Sequence, residues 1–288
     1  MTEKPIFTGA ATALATPFCE NGIDFASLGG LIDFQLANGI NALVLCGTTG
    51  EAPTLSAKER AEMICFASER INGRVPLIAG AGANDTAKAK EYAAEARSAG
   101  ADALLLVTPY YNKCTQEGLV KYYAEVSESG GLPFIAYSVP SRTGVRVSPE
   151  TAKRIAALPL AAGLKDCGDI TGTARTLALC GDSFPVYCGN DALILPVLSL
   201  GGAGAISVLA NIRPAQVHTL CELFFRGDVK AAADLQKTLL PLADALFAEV
   251  NPIPVKAALC GMGLCRNLLR APLTPLSPQY EKTLLELL

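Results

Sequence analysis

The chain has 288 residues, a formal net charge of -3 and an apolar share of 50%. It holds ten cysteines, no tryptophan and one histidine, His218. A single histidine excludes a zinc site built from several imidazoles, and it leaves acid–base chemistry near neutral pH to retuned Lys, Tyr, Cys, Asp or Glu.

The length fits one or two ordinary domains, or a single barrel of about 250 residues. Balanced charge and sparse aromatics argue against a nucleic-acid partner. No stretch reaches the roughly 18 uninterrupted apolar residues of a membrane span. The opening MTEKPIFTGAATALATPF lacks the basic-then-apolar order of a secretory signal. Scattered cysteines with no CxxC pair fit reduced thiols, and a cytoplasmic location is expected.

In chain order, short apolar runs alternate with amphipathic segments. The strand-like runs are Gly9–Leu14, Ala42–Cys46, Pro76–Ala79, Ala103–Val107, Pro133–Tyr137, Ala162–Leu164, Pro185–Cys188 and Ala205–Val208. They are apolar throughout, as parallel strands covered on both faces are. The intervening segments carry helix signals. Ser56 and Glu59 have capping-box spacing. Ala87–Ser98 stops at Gly100, Thr115–Ser129 stops at Gly130-Gly131, and Pro149 follows Ser148 at a first helical position. Eight such units predict an α/β fold, a (β/α)8 TIM barrel over residues 1–226. A C-terminal helical appendage is predicted over 227–288, with helices at Ala231–Glu249 and Val255–Leu264 broken by Asn251-Pro252-Ile253-Pro254. A doubly wound open sheet is the competing architecture. It is disfavoured because Gly80-Ala81-Gly82-Ala83-Asn84 lacks the third glycine of a nucleotide turn and no Walker lysine motif occurs.

Barrel chemistry sits at the C-terminal ends of strands. Lys165 follows the apolar run Leu160–Leu164 and is expected to open a loop at the rim. Partial desolvation there would favour the neutral amine, which can form a Schiff base with a ketone. Pairing with Asp166 or Asp169 is the alternative. Tyr137 holds the matching position on the neighbouring strand, as a proton donor and acceptor or as a packed rim tyrosine. Thr48-Thr49, flanked by glycines, offers hydroxyls and N–H groups to a carboxylate, or forms an ordinary turn. Arg142 offers a carboxylate fork, or is a solvated loop arginine. Gly189 would let a ligand approach the backbone.

The motifs GTTGE (Gly47–Glu51), TPYYN (Thr108–Asn112), YSVPSRTG (Tyr137–Gly144), GLKD (Gly163–Asp166) and GAISV (Gly204–Val208) stand in one order along the chain. With NPIPVK (Asn251–Lys256), they make the chain resemble the dihydrodipicolinate synthases over essentially its whole length. These are the 4-hydroxy-tetrahydrodipicolinate synthases, of the pyruvate-dependent Schiff-base aldolase superfamily that includes N-acetylneuraminate lyase. The resemblance implies that Lys165 condenses with pyruvate and that Tyr137 is the general acid–base, with Thr48 and Tyr111 as its proton relay. Tyr111 would reach across a dimer interface. A homo-oligomer follows, commonly a tetramer built as a dimer of dimers. Thr49 and the backbone around Gly189 and Ile206 would hold the pyruvate carboxylate and nearby groups. Arg142 would bind the carboxylate of L-aspartate 4-semialdehyde, since sialic-acid lyases generally lack an arginine there. The implied product is 4-hydroxy-tetrahydrodipicolinate, on the route to diaminopimelate and lysine. No metal or cofactor is expected, because a protonated imine is itself the electron sink. Another pyruvate aldolase or hydratase-aldolase is the alternative, and a non-catalytic binding barrel the weaker one.

Some positions depart from the family pattern. Ser138 stands where asparagine is common. Asp166-Cys167-Gly168 replaces Glu followed by Ala and Ser or Thr, and Cys167 is expected to be a buried small hydrophobe. Members inhibited by lysine pair its ammonium with a glutamate, where this chain has Lys88. Ala57 and Arg60 stand at positions where histidines are frequent. Weak or absent feedback inhibition is expected. His218 is expected on the outer helical layer, without a catalytic role.

Overall fold

A computed structural model describes residues 5–288. The predicted strands form a closed parallel barrel: β1 Gly9–Ala13, β2 Ala42–Leu45, β3 Leu77–Gly80, β4 Ala103–Val107, β5 Phe134–Ser138, β6 Ala161–Asp166, β7 Val186–Cys188 and β8 Gly204–Ser207. Each pairs in parallel with its sequence neighbour, and β8 returns to β1 through Gly9↔Gly204 to Thr12↔Ser207. Nearly every strand residue is buried, which is why the runs read as continuously apolar.

The strands still alternate between two cores. Leu43 and Leu45 of β2 face the surrounding helices, with Leu104 and Leu106 of β4. Ala42 and Val44 face the barrel axis, with Leu105, Ile135, Tyr137 and Ile206. Phe7 closes the N-terminal end of this inner core. Its ring stacks on Tyr187 at 4.4 Å, and the Tyr187 phenol donates to the Phe7 carbonyl at 2.8 Å.

Helix starts follow the cap signals. Ser56 and Glu59 form the reciprocal capping box ahead of α2 Ala57–Ile71; α1, Phe25–Ala37, precedes it. Thr115 caps the helix Gln116–Gly130, and Ser148 caps Pro149–Ala156. His218 lies on the outer helix Pro214–Phe225, where Nδ1 meets Asn41 Oδ1 at 3.1 Å ahead of β2. That is the end of the barrel away from the strand termini that carry the motifs.

Four details differ from the sequence expectation. Lys165 does not open a loop; it belongs to β6, which runs through Asp166. The helix expected from Val255 begins at Ile253, because prolines are tolerated in a first turn whose N–H groups lack helical partners. The helix Val229–Ala245 is displaced toward the N-terminus of its expected range, and a further helix, Pro278–Glu286, ends the chain. Among the described residues, no helix is long and apolar enough to cross a membrane.

Candidate active site

The C-terminal end of the barrel opens into a cavity of about 840 Å³, walled by Thr48, Thr49, Tyr137, Arg142, Lys165 and Gly189 among others. A second cavity of about 630 Å³ adjoins it across Thr48, Tyr137, Arg142 and Asn251, and extends to Arg60 and Lys88.

Lys165 lies in the last part of β6 and is registered against Tyr137 of β5. In a parallel ladder such partners point to the same face, here the barrel interior. Lys165 is 4% exposed, and its Nζ stands 4.4 Å from the centre of the Tyr137 ring. Burial pulls the amine below its ordinary pKa, while the Cys167 and Asp191 groups pull it back up. Desolvation prevails because, among the described residues, no carboxylate pairs directly with the ammonium. The anticipated alternative, a Lys165 ion pair, is not what forms. Asp166 instead accepts from Thr173 Oγ1 and Gly168 N–H, and Asp169 pairs with Arg146.

Tyr137 is buried, and burial pushes its phenol well above the usual range. The nearby Thr48 hydroxyl and Arg142 guanidinium act in the opposite direction. The phenol is therefore protonated at neutral pH and can donate a hydrogen bond. Thr48 and Thr49 sit on the turn after β2. Thr49 Oγ1 accepts from Asn251 Nδ2 at 3.0 Å, which leaves the hydroxyl hydrogen free to donate to a bound carboxylate. Arg142 lies in a single helical turn at Pro140–Thr143, and its Nη2 donates to the Asn251 carbonyl at 3.0 Å. This contact fixes the guanidinium at the cavity mouth.

Gly189 is required by close packing. A Cβ there would lie 2.2 Å from Cys167 Sγ and 3.0 Å from Lys165 Cε. Cys167 donates to the Gly189 carbonyl at 3.2 Å, and burial keeps its thiol protonated by raising its pKa. The expectation of a buried small hydrophobe is met only in part, because Cys167 is half-buried and lines the cavity. Ile206 is fully buried in β8, in the inner core, and its side chain lines neither cavity. Tyr111 is not brought to this site. It is 90% exposed, with φ 69°, and turns away from its own chain's cavity.

Two contributors had no role assigned from sequence. Asp191 closes β7 onto β8 by accepting from Ser207 Oγ at 2.5 Å and from the Val208 and Leu209 N–H groups. Asn251 brings the C-terminal segment to Thr49 and Arg142. Both lie in motifs visible in the sequence, after Gly189 and at the start of NPIPVK. Their partners are 16 and 202 positions away, which spacing does not reveal.

Fold and site together define a (β/α)8 barrel with a buried lysine facing a tyrosine in a cavity open at one end. A model of the dihydrodipicolinate synthetase family matches residues 6–288, and the chain belongs to that family. It is 46% identical to the 4-hydroxy-tetrahydrodipicolinate synthase of Acetivibrio thermocellus over 95% of this chain and 94% of that one. The structure matches the dihydrodipicolinate synthase of Thermotoga maritima at a TM-score of 0.96 and 43% identity, covering 98% of this chain and 97% of that one. It matches the chloride-inhibited dihydrodipicolinate synthase of Acinetobacter baumannii, solved complexed with pyruvate, at a TM-score of 0.95 and 42% identity, covering 97% of each.

Proposed function

We propose that this chain is a lyase that condenses pyruvate with L-aspartate 4-semialdehyde to give 4-hydroxy-tetrahydrodipicolinate, an early step toward diaminopimelate and lysine. The observation that carries the reading is Lys165: a desolvated amine, free of any direct carboxylate partner, facing a protonated phenol at the cavity floor. Family membership and a relative solved with pyruvate support it.

The chemistry follows from these groups. The neutral Lys165 amine attacks the pyruvate ketone, and the carbinolamine loses water to give a protonated imine. The imine nitrogen withdraws electrons, so a methyl proton leaves and an enamine forms. Its carbon attacks the aldehyde of the second substrate, whose oxygen takes up a proton. The amino group of that substrate then attacks the imine carbon, closes the ring and releases Lys165. Tyr137 moves the protons, with Thr48 as its neighbour in the relay. Thr49 and the backbone near Gly189 and Ile206 hold the pyruvate carboxylate, and Arg142 holds the carboxylate of the semialdehyde.

Tyr111 completes the relay from a second copy of the chain. Its exposure here supports that assignment, because a large aromatic ring held in solvent with positive φ is available to a neighbouring subunit. The assembly is then at least a dimer, and a dimer of dimers is the proposed state. Cytoplasmic residence is proposed with it. The proposed division of the chain is a barrel unit at 1–226 and a helical unit at 227–288.

Incubation with pyruvate, borohydride reduction and mass spectrometry test the reading. A secondary-amine adduct on Lys165 is expected, and its absence would remove the whole scheme. Turnover with aspartate semialdehyde, and none with N-acetylmannosamine, separates the synthase from its sialic-acid relatives.

A further inference from the structure

The turn after β2 carries Thr48 and Thr49, and it is closed by its own Glu51 N–H to Thr48 carbonyl bond at 3.1 Å, yet its backbone is strained at both ends. Two non-glycine residues bracket it in the left-handed region: Cys46 at φ 54° and Glu51 at φ 53°. Such residues persist only where their surroundings over-determine them. On the barrel side the support is one hydrogen bond, from Thr16 Oγ1 to the Gly50 carbonyl at 2.7 Å.

The other support comes from the C-terminal segment. Lys256 is fully buried, and its Nζ donates to Glu51 Oε1 at 2.7 Å and to the Leu268 carbonyl. The ammonium also lies 4.0 Å from the centre of the Phe18 ring. Glu51 Oε2 accepts from the Arg270 N–H at 2.9 Å, so both carboxylate oxygens are engaged from the same segment. Arg270 in turn reaches Thr54 O and Glu59, one turn further along the loop into α2. A buried ion pair contributes little to stability when set against well-packed apolar side chains. What it does supply is one geometry, because each charge is fixed by several partners at once: Lys256 by Glu51, the Leu268 carbonyl and the Phe18 ring, and Glu51 by Lys256 and the Arg270 N–H.

We propose that Glu51 and Lys256 are positioning residues for the proposed reaction, and that their pair holds the Thr48–Thr49 hydroxyls in register with Tyr137 and the pyruvate carboxylate. The inference rests on the functional reading above and deepens it. Neither side chain touches the reacting atoms. Glu51 acts through its backbone, whose N–H donates to the Thr48 carbonyl at 3.1 Å. Loosening the pair tilts the turn that carries both hydroxyls. A displacement of about 1 Å in such a group costs up to about a hundredfold in rate.

Two variants of the full chain test this. Glu51→Asp keeps the charges but draws the turn by one methylene. The double replacement Lys256→Met with Glu51→Gln removes both charges, so none is left buried without a partner. Each is measured for its melting transition, for borohydride-trapped pyruvate on Lys165, and for kcat and both KM values. The expected result is a cooperative melt, a Lys165 adduct at saturating pyruvate, and kcat lowered at least about tenfold. The KM for pyruvate should rise, since Thr49 moves with the turn, and the KM for the semialdehyde should stay within about threefold. A folded variant with unchanged kcat and pyruvate KM overturns the proposal. Failure of both variants to fold also overturns it, by marking the pair as a requirement of the fold. Loss of the adduct from the unaltered chain would strike the functional reading instead.

Discussion

Lys165 and Tyr137 occupy one rung of the barrel, registered across β5 and β6, with the amine 4.4 Å from the centre of the phenol ring. Reading both groups from one rung explains how a chain with one distant histidine can run acid–base chemistry. The proposed nucleophile and its proposed proton carrier are delivered by adjacent strands and share one desolvated pocket.

Burial sets the pH response of the amine. The folded pKa of Lys165 lies below the ordinary 10.5, so the neutral form is populated at lower pH than in a free lysine. The rate of pyruvate trapping should rise with pH through that depressed value and level off above it. A half-rise at or above pH 10.5 would contradict the desolvated site. Lys165→Ala should leave no adduct and lower kcat by at least about 10³-fold.

Tyr137→Phe keeps the ring packed among the inner-core residues and removes only the hydroxyl. Turnover should fall about 10²–10⁴-fold, the range for loss of a general acid–base. Pyruvate binding, followed by equilibrium titration, should change little. A comparable loss of binding would show that the phenol holds substrate rather than moving its protons.

Tyr111 offers a complementation assay. If it serves a neighbouring subunit, Tyr111→Phe and Lys165→Ala chains should each be nearly inactive alone. Hybrids formed by refolding a mixture should recover up to about a quarter of normal activity for dimeric pairs, since half the subunits are in hybrids and each hybrid has one intact site. No recovery in verified hybrids would return Tyr111 to its own chain.

Feedback by lysine should be weak. Arg60 and Lys88 both line the outer cavity, with Arg60 4.1 Å and Lys88 4.9 Å from the Tyr92 ring centre. Lys88 pairs with Glu91 at 2.8 Å, which leaves that carboxylate engaged. An incoming ammonium meets like charge. Strong inhibition of the purified protein by submillimolar lysine would refute this, and Lys88→Glu should increase sensitivity.

Acid stability has a defined window. The Arg270 guanidinium, by hydrogen bonding, holds the Glu59 carboxyl at about 2, against an ordinary 4.5. A depressed folded pKa stabilises the fold above 4.5, and that stability drains away as pH falls from 4.5 through about 2. The pair is about a quarter exposed, so solvent screening reduces the gain to about 1–2 kcal/mol. Glu59→Gln should flatten the denaturation profile over that interval, and an unchanged slope would show that other carboxylates control it.

The barrel was legible because its strands are covered on both faces and so read as unbroken apolar runs between capped helices. The strand-end groups were legible for the same reason, since each follows directly on such a run. Lys165 was misplaced by one step because a polar residue at the end of an apolar run looks the same inside the strand as just beyond it. The hairpin Phe18–Cys19 with Gly22–Ile23 has strands too short to show any period. Glu51 and Lys256 lie 205 positions apart, and only the closed fold brings their charges together. The outward turn of Tyr111 depends on a positive φ that a Tyr-Tyr-Asn stretch does not announce.

The packed inner core, with Val44 and Leu105 on the cavity wall and the Phe7–Tyr187 stack at its far end, makes the cavity a well with a sealed floor. Lys165 is 4% exposed near its bottom, and Arg142 stands at its brim. Everything must pass the same rim in both directions, including the water released when the imine forms. The molecule destined for Lys165 must therefore descend first, because a semialdehyde already seated on Arg142 would stopper the shaft. Initial-rate patterns should show semialdehyde inhibiting at high concentration in competition with pyruvate.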